Sequence, residues 1–108
     1  MNTTVKTYNE IIGYHYWENA PDEVSFLRSN HRHRFVIRCQ FEVAHDDRQV
    51  EIFMKEREIE AFLVSKYGKE MQLGGMSCEM LAKQLVNNFG CVCCEVLEDD
   101  KGGAIVWA

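Results

Sequence analysis

"HRHRFVIRCQFEVA", residues 31–44, decides the fold. Apolar and polar residues alternate along it. His31, His33, Phe35, Ile37, Cys39, Phe41 and Val43 fall on one face, and Arg32, Arg34, Val36, Arg38, Gln40 and Glu42 on the other. Successive strand side chains point to opposite faces, so the segment reads as one long, half-buried β-strand. It opens with two imidazoles on its apolar face, a placement that needs a reason.

The flanking sequence supplies neighbours for this strand. Residues 4–15 (TVKTYNEIIGYH) are rich in β-branched and aromatic side chains and read as a first strand. Residues 17–30 hold the only proline and several turn formers, so they read as a loop. "HDDRQ", residues 45–49, reads as a turn, because Asp caps its own backbone in tight geometry. Residues 49–54 (QVEIFM) then read as a strand that forms a hairpin with the long one. At residues 55–67 the period changes: Ile59, Phe62, Leu63 and Lys66 lie at helical spacing, and Gly68 stands at a C-cap. "GKEMQLGG", residues 68–75, reads as a connection. Ser77 caps a second helix, with Glu79 near its positive end and Leu81, Ala82, Leu85, Val86 and Phe89 as its apolar stripe. Residues 91–98 (CVCCEVLE) and 104–107 (AIVW) read as two strands joined by a turn. The expected order is a first strand, a hairpin, two helices and a second hairpin, and the expected architecture is α+β: the two hairpins make a four-stranded, mostly antiparallel sheet with both helices on one face.

The totals bound the function. A chain of 108 residues makes one domain, 1–108. With 46% hydrophobic and 27% charged residues it is globular rather than disordered. A net charge of -5 lacks the basic footprint of a nucleic-acid binder. No apolar run is long enough to span a bilayer, and no secretory signal opens the chain. Five cysteines, an odd number without an export signal, imply reduced thiols in the cytoplasm. "CVCC" has no second cysteine pair at zinc-finger spacing, so Cys39, Cys78, Cys91, Cys93 and Cys94 are expected to pack as small hydrophobes.

Two histidines on one strand face can converge on one ion, and imidazole is the commonest metal ligand. A zinc site that performs chemistry usually has three protein ligands and an open fourth position. His15 ends the first strand, which can lie beside the long one. His45 stands at the far end, roughly 30 Å away at strand rise, and cannot join the same ion within one chain. The sequence therefore nominates His15, His31 and His33. The alternative is a pair of half-buried, hydrogen-bonded histidines at a strand start.

Five segments in order carry a resemblance: "IIGYH" ending at His15, "HRHRF", "RQVEIF" with Glu51, "MSCEMLAKQL" with Ser77 and Glu79, and "VLEDDKGGAIV" with Glu98. Over nearly the whole chain they resemble the 6-pyruvoyl-tetrahydropterin and 6-carboxy-tetrahydropterin synthase family of tunnel-fold enzymes. The resemblance implies a tunnel fold of ββααββ order and zinc on His15, His31 and His33. It implies that Glu98 anchors a pterin or purine-like ring, with Ser77 and Glu79 also in the substrate site. It implies a homo-oligomer, a hexamer of two stacked trimers, in which Glu98 and the zinc come from different chains. The implied activity is a zinc-dependent carbon–oxygen lyase acting on a dihydroneopterin triphosphate-type substrate, in pterin or 7-deazaguanine (queuosine-type) synthesis. A carboxylate suits the anchoring role, since it accepts two parallel hydrogen bonds from an amino group and an adjacent ring N–H. Glu98 shares strand parity with Val92, Cys94 and Val96, so it is either a paired buried carboxylate or a solvent-facing strand end.

The chain departs from the family at the proton relay. The family's general base is a cysteine a few residues before H-x-H, tuned by an Asp–His pair between the helices. Here Leu27 stands four before His31, and residues 65–77 contain neither Asp nor His. His45, beside Asp46 and Asp47, is either a spare catalytic base in an assembled ring or a turn residue. Arg28, Arg32 and Arg34 either bind a phosphate tail or are solvated strand charges. The alternative function is a catalytically silent tunnel-fold protein that binds a pterin, purine or nucleotide.

Overall fold

The structure is a computed structural model covering residues 1–108. Its elements are β1 (Thr3–His15), a short 3-10 helix (Asp22–Leu27), β2 (His31–Val43), α1 (Ile52–Tyr67), β3 (Met71–Gly74), α2 (Cys78–Phe89), β4 (Cys93–Glu98) and β5 (Gly103–Trp107). The class is α+β. The sheet has five strands in the order β3-β1-β2-β4-β5 and is mixed, because β3 runs parallel to β1. The expected four-stranded antiparallel sheet is thus corrected at two places.

The first is residues 49–54, which do not form a strand. The Glu51 carboxylate accepts hydrogen bonds from the backbone N–H groups of Phe53 and Met54 at 3.2 and 3.0 Å. That cap satisfies donors that open a helix, and α1 starts at Ile52. Capping outweighs the β-propensity of "QVEIFM", and Ile52, Phe53 and Met54 are left exposed in the first turn. The second place is "GKEMQLGG". Met71 and Leu73 are buried and Gln72 is exposed, so the segment alternates as a strand should, for four residues only.

The hairpin partner of β2 is therefore β1, in a continuous antiparallel register from Thr3 opposite Val43 to His15 opposite His31. β4 flanks the other side of β2, with Phe35 opposite Glu98 and Cys39 opposite Cys94. One sheet face carries Ile11, Phe35, Ile37, Cys39, Phe41, Cys94 and Val96 into a core completed by Ile59 and Leu63 of α1 and Leu81, Ala82 and Leu85 of α2. All five cysteines are free and buried, as expected of small hydrophobes. No helix covers the other sheet face, although Val36 and Cys93 are buried there among their neighbours. Arg34 pairs there with Glu10, Arg38 with Glu95 at 3.0 Å, and Tyr8, Ile105 and Trp107 are exposed. No helix is long and apolar enough to cross a membrane.

Gly13 lies at the point where β1, β2 and β3 meet. A Cβ there would stand 3.0 Å from the Phe35 ring and 3.2 Å from Met71 Cβ, and both neighbours are buried. Gly13→Ala is expected to destabilise the chain by about 1–3 kcal/mol through overpacking. A urea-unfolding midpoint that does not fall would show that the Phe35 ring yields instead. Thiol labelling checks the core: none of the five cysteines should react rapidly in the folded chain and all five should in urea.

Candidate metal centre

The β1–β2 register builds the site. His15 and His31 are direct cross-strand partners, and His33 is the next residue on the same face. Gly13 stands opposite His33, so no side chain crowds the His33 ring from across the ladder. The His15, His31 and His33 rings pack edge to face with centroids 4.6 to 5.3 Å apart. Phe35 closes the apolar side beneath them, 5.3 Å from His15 and 5.7 Å from His33.

Each ring is held by its Nδ1. His15 Nδ1 lies 2.8 Å from the Met76 carbonyl oxygen, at the β3–α2 junction. His31 Nδ1 lies 2.9 Å from the Ser29 carbonyl oxygen, just before β2. His33 Nδ1 lies 2.6 Å from Asp99 Oδ2, in the β4–β5 turn. These oxygens accept, so each Nδ1 carries the proton and donates. That tautomer leaves the Nε2 lone pairs of His31 and His33 free, and the Nε2 atoms of both are buried without a hydrogen-bond partner. One nitrogen from each of the three rings lies within 4.8 Å of the other two, a group that could hold a metal ion. Imidazoles with Nδ1 anchored to oxygen and Nε2 turned inward form the donor set of a histidine metal site. The nomination of His15, His31 and His33 thus corresponds to one place in the fold.

Asp99 was not legible as part of this site. Asp99 and Asp100 have φ of 55° and 60°, and the Lys101 N–H donates to the Glu98 carbonyl oxygen at 3.0 Å. This is a tight turn with both central residues left-handed, which matches the twist of a hairpin. It folds the Asp99 carboxylate back onto β2, where Oδ1 accepts the Arg34 backbone N–H at 2.9 Å. That N–H, and next the His33 ring, hold the Asp99 carboxyl below the usual carboxylate range.

Glu98 faces the histidines, on the apolar side of β4. Its Oε2 lies 3.0 Å from His15 Nε2 and its Oε1 3.7 Å from His33 Nε2. Glu98 and the three histidines meet within one chain, which corrects the expectation that they come from different chains. The bond from His15 lowers the Glu98 pKa against the opposing effect of burial, and the nearby His33 adds to it. Burial works against charge on His15, but the Glu98 and Met76 contacts prevail and its pKa is raised. Cys78 Sγ lies 3.6 Å from Glu98 Oε2. Burial first, and then the Glu98 charge, push this thiol up to about 12. It stands at the first position of α2, beside a capping serine, where sequence alone shows only a helix start.

A cleft of about 460 Å³ opens over these groups. Tyr16 and Trp17 line it, as do Ser77, Cys78, Glu79 and Glu98. Ser77 also caps α2, its Oγ accepting the Met80 N–H at 3.2 Å. Leu27, four residues before His31, lines the same cleft. His45 lies elsewhere, exposed beyond the far end of β2, with its Nδ1 accepting the Asp47 N–H at 3.2 Å. Arg28 binds the Ala20 carbonyl oxygen and Asp22, both at 2.7 Å, and Arg32 and Arg34 project from the opposite sheet face. No protein-family profile matches the chain, and no curated protein matches it in sequence.

The Asp99–His33 bond is testable apart from the ligands themselves. Asp99→Asn is expected to weaken binding of a divalent metal ion at this group by about 10- to 100-fold, the usual cost of losing a carboxylate behind a ligating histidine. Competition with a chromophoric chelator measures it. An unchanged affinity would mean that the Asp99 carboxylate does not orient the ring.

Proposed function

We propose that this chain is a zinc-binding, tetrahydropterin-synthase-like protein of the tunnel-fold type, acting on a dihydroneopterin triphosphate-type substrate. The observation that carries the proposal is the cluster of His15, His31 and His33, one ring nitrogen of each within 4.8 Å of the others, beside Glu98 and a cleft lined by His15, His31, Tyr16 and Trp17. Zinc, when bound, polarises oxygens of the substrate side chain and eases removal of neighbouring protons. The protein's own groups do the rest. Glu98, held charged, accepts the amino and N–H edge of a pterin or purine-like ring. Tyr16 and Trp17 offer faces for that ring to stack on, and Ser77 and Glu79 supply polar contacts at the rim. A volume of about 460 Å³ suits a small heterocycle.

The open edge of β5, together with exposed Ile105 and Trp107, supports assembly of copies into a homo-oligomer, a hexamer of stacked trimers. Such an assembly is also where His45 of a neighbouring copy gains a route to the cleft as general base. One observation favours the second reading, a silent binder of pterins, purines or nucleotides. Leu27 occupies the cleft at the place where the resemblance calls for a cysteine, and Cys78 sits there as a protonated thiol.

The first test is metal content of untagged protein beside a His31→Ala, His33→Ala double variant. About one zinc per chain, lost in the variant, is the outcome expected of a three-histidine site. No metal in the wild type would remove the zinc-dependent reading. Dihydroneopterin triphosphate then separates the two functions: turnover supports the synthase, and quenching of Trp17 fluorescence without turnover supports the binder.

A further inference from the structure

Glu98 is placed for more than holding a ring. Its two carboxylate oxygens lie 3.0 Å from His15 Nε2 and 3.7 Å from His33 Nε2. His15 and His33 are two of the three residues whose rings each bring a nitrogen within 4.8 Å of the others. Ligand atoms on a tetrahedral ion, bonded at about 2.0–2.2 Å, stand about 3.3–3.5 Å apart. One Glu98 oxygen thus lies near that edge from His15 and the other from His33, and the 3.0 Å contact is a hydrogen bond whose His15 proton leaves when an ion takes its place. The buried Nε2 atoms of His31 and His33 have no hydrogen-bond donor that would compete with an ion. Pairing of Glu98 with Phe35 across β2–β4 fixes the carboxylate's origin, and the Cys78 thiol at 3.6 Å steadies Oε2 from the other side.

We infer that Glu98 is a fourth protein ligand to the ion held by His15, His31 and His33 when the cleft carries no other ligand. This rests on the metal-site reading above and adds a coupling to it. With three imidazoles and one carboxylate the ion has no open position. For the ion to stay four-coordinate, an incoming ligand that binds through oxygen displaces Glu98. The displaced carboxylate is then free to take the donor edge of the ligand's ring. One side chain thus links occupancy of the ion to recognition of the ring.

Cobalt(II) reports the coordination directly. The full chain is stripped of metal, loaded with cobalt(II), and compared with Glu98→Gln by visible absorption, by chelator competition and by titration with azide. The expected result is a tetrahedral spectrum in the wild type that changes in E98Q, with cobalt affinity lowered by at least about 10-fold. Azide should bind E98Q at about 10-fold lower concentration or less, because no carboxylate has to leave. An unaltered spectrum, affinity and azide response in E98Q, with binding still lost in the His31→Ala, His33→Ala variant, would overturn the fourth-ligand role and leave the three-histidine site standing. Absence of cobalt binding in the wild type would overturn both. Cys78→Ser is the remaining control. Loss in C78S of a wild-type sulfur-to-cobalt charge-transfer band would make Cys78 the fourth ligand and overturn the proposal. E98Q unfolding at the wild-type temperature excludes a folding defect as the cause.

Discussion

The pairing of His15 with His31 across the β1–β2 ladder is the constraint from which the rest of the site follows. Strand side chains alternate faces, so a slip of one residue would send all three histidines' partners to the wrong side of the sheet. The core guards against that slip. The same register puts Ile11 opposite Phe35 and Cys39 opposite Thr7, on the face covered by α1 and α2. Burial of the apolar residues therefore sets the geometry of the polar ones. The imidazoles are the end of the hydrophobic face, where the covering helices stop and the cleft begins.

Fixing the strands is not enough to aim the rings. An imidazole can rotate, and each ring here is stopped by an oxygen from a different part of the chain: the Met76 carbonyl, the Ser29 carbonyl and the Asp99 carboxylate. Three independent segments must be in place before the three Nε2 atoms converge. The β3–α2 junction brings Met76, and the left-handed Asp99–Asp100 turn brings its carboxylate. Buried lone pairs without donors carry a desolvation cost in a chain of 108 residues, whose core has little surplus stability. A cation held by these nitrogens would offset that cost.

Periodicity made β2 legible, because an alternation over thirteen residues, broken only by the buried Val36, leaves little choice. It placed His31 and His33 on one face, and the end of β1 placed His15 beside them. Glu98 was legible by parity with Cys94 and Val96. What escaped was decided by local capping and by contacts distant in sequence. "QVEIFM" has the composition of a strand, but one carboxylate, Glu51, turned it into the start of α1. β3 has four residues and a single alternation, too short for a pattern to register, and its pairing to β1 depends on a partner more than fifty residues away. Asp99 read as a turn residue and is one. Its hold on His33 comes from the backbone geometry of that turn, which composition does not encode.

The pKa shifts in the cleft bear on what such a site can do alone. Cys78, pushed up to about 12, keeps its proton at neutral pH and can donate but not abstract. Glu98, pulled down by His15 and His33, stays charged and is a weak base. A general base works best when its pKa lies near the working pH, and these two groups lie on either side of it. The inward Nε2 atoms of His31 and His33 have no hydrogen-bond partner and are placed to hold an ion rather than to relay a proton. Within one chain the cleft is thus stronger at binding an ion and a ring than at moving a proton between them. On the proposed synthase reading, turnover would need a base from outside the chain, and the sheet edges of β3 and β5 are where another copy would bring one.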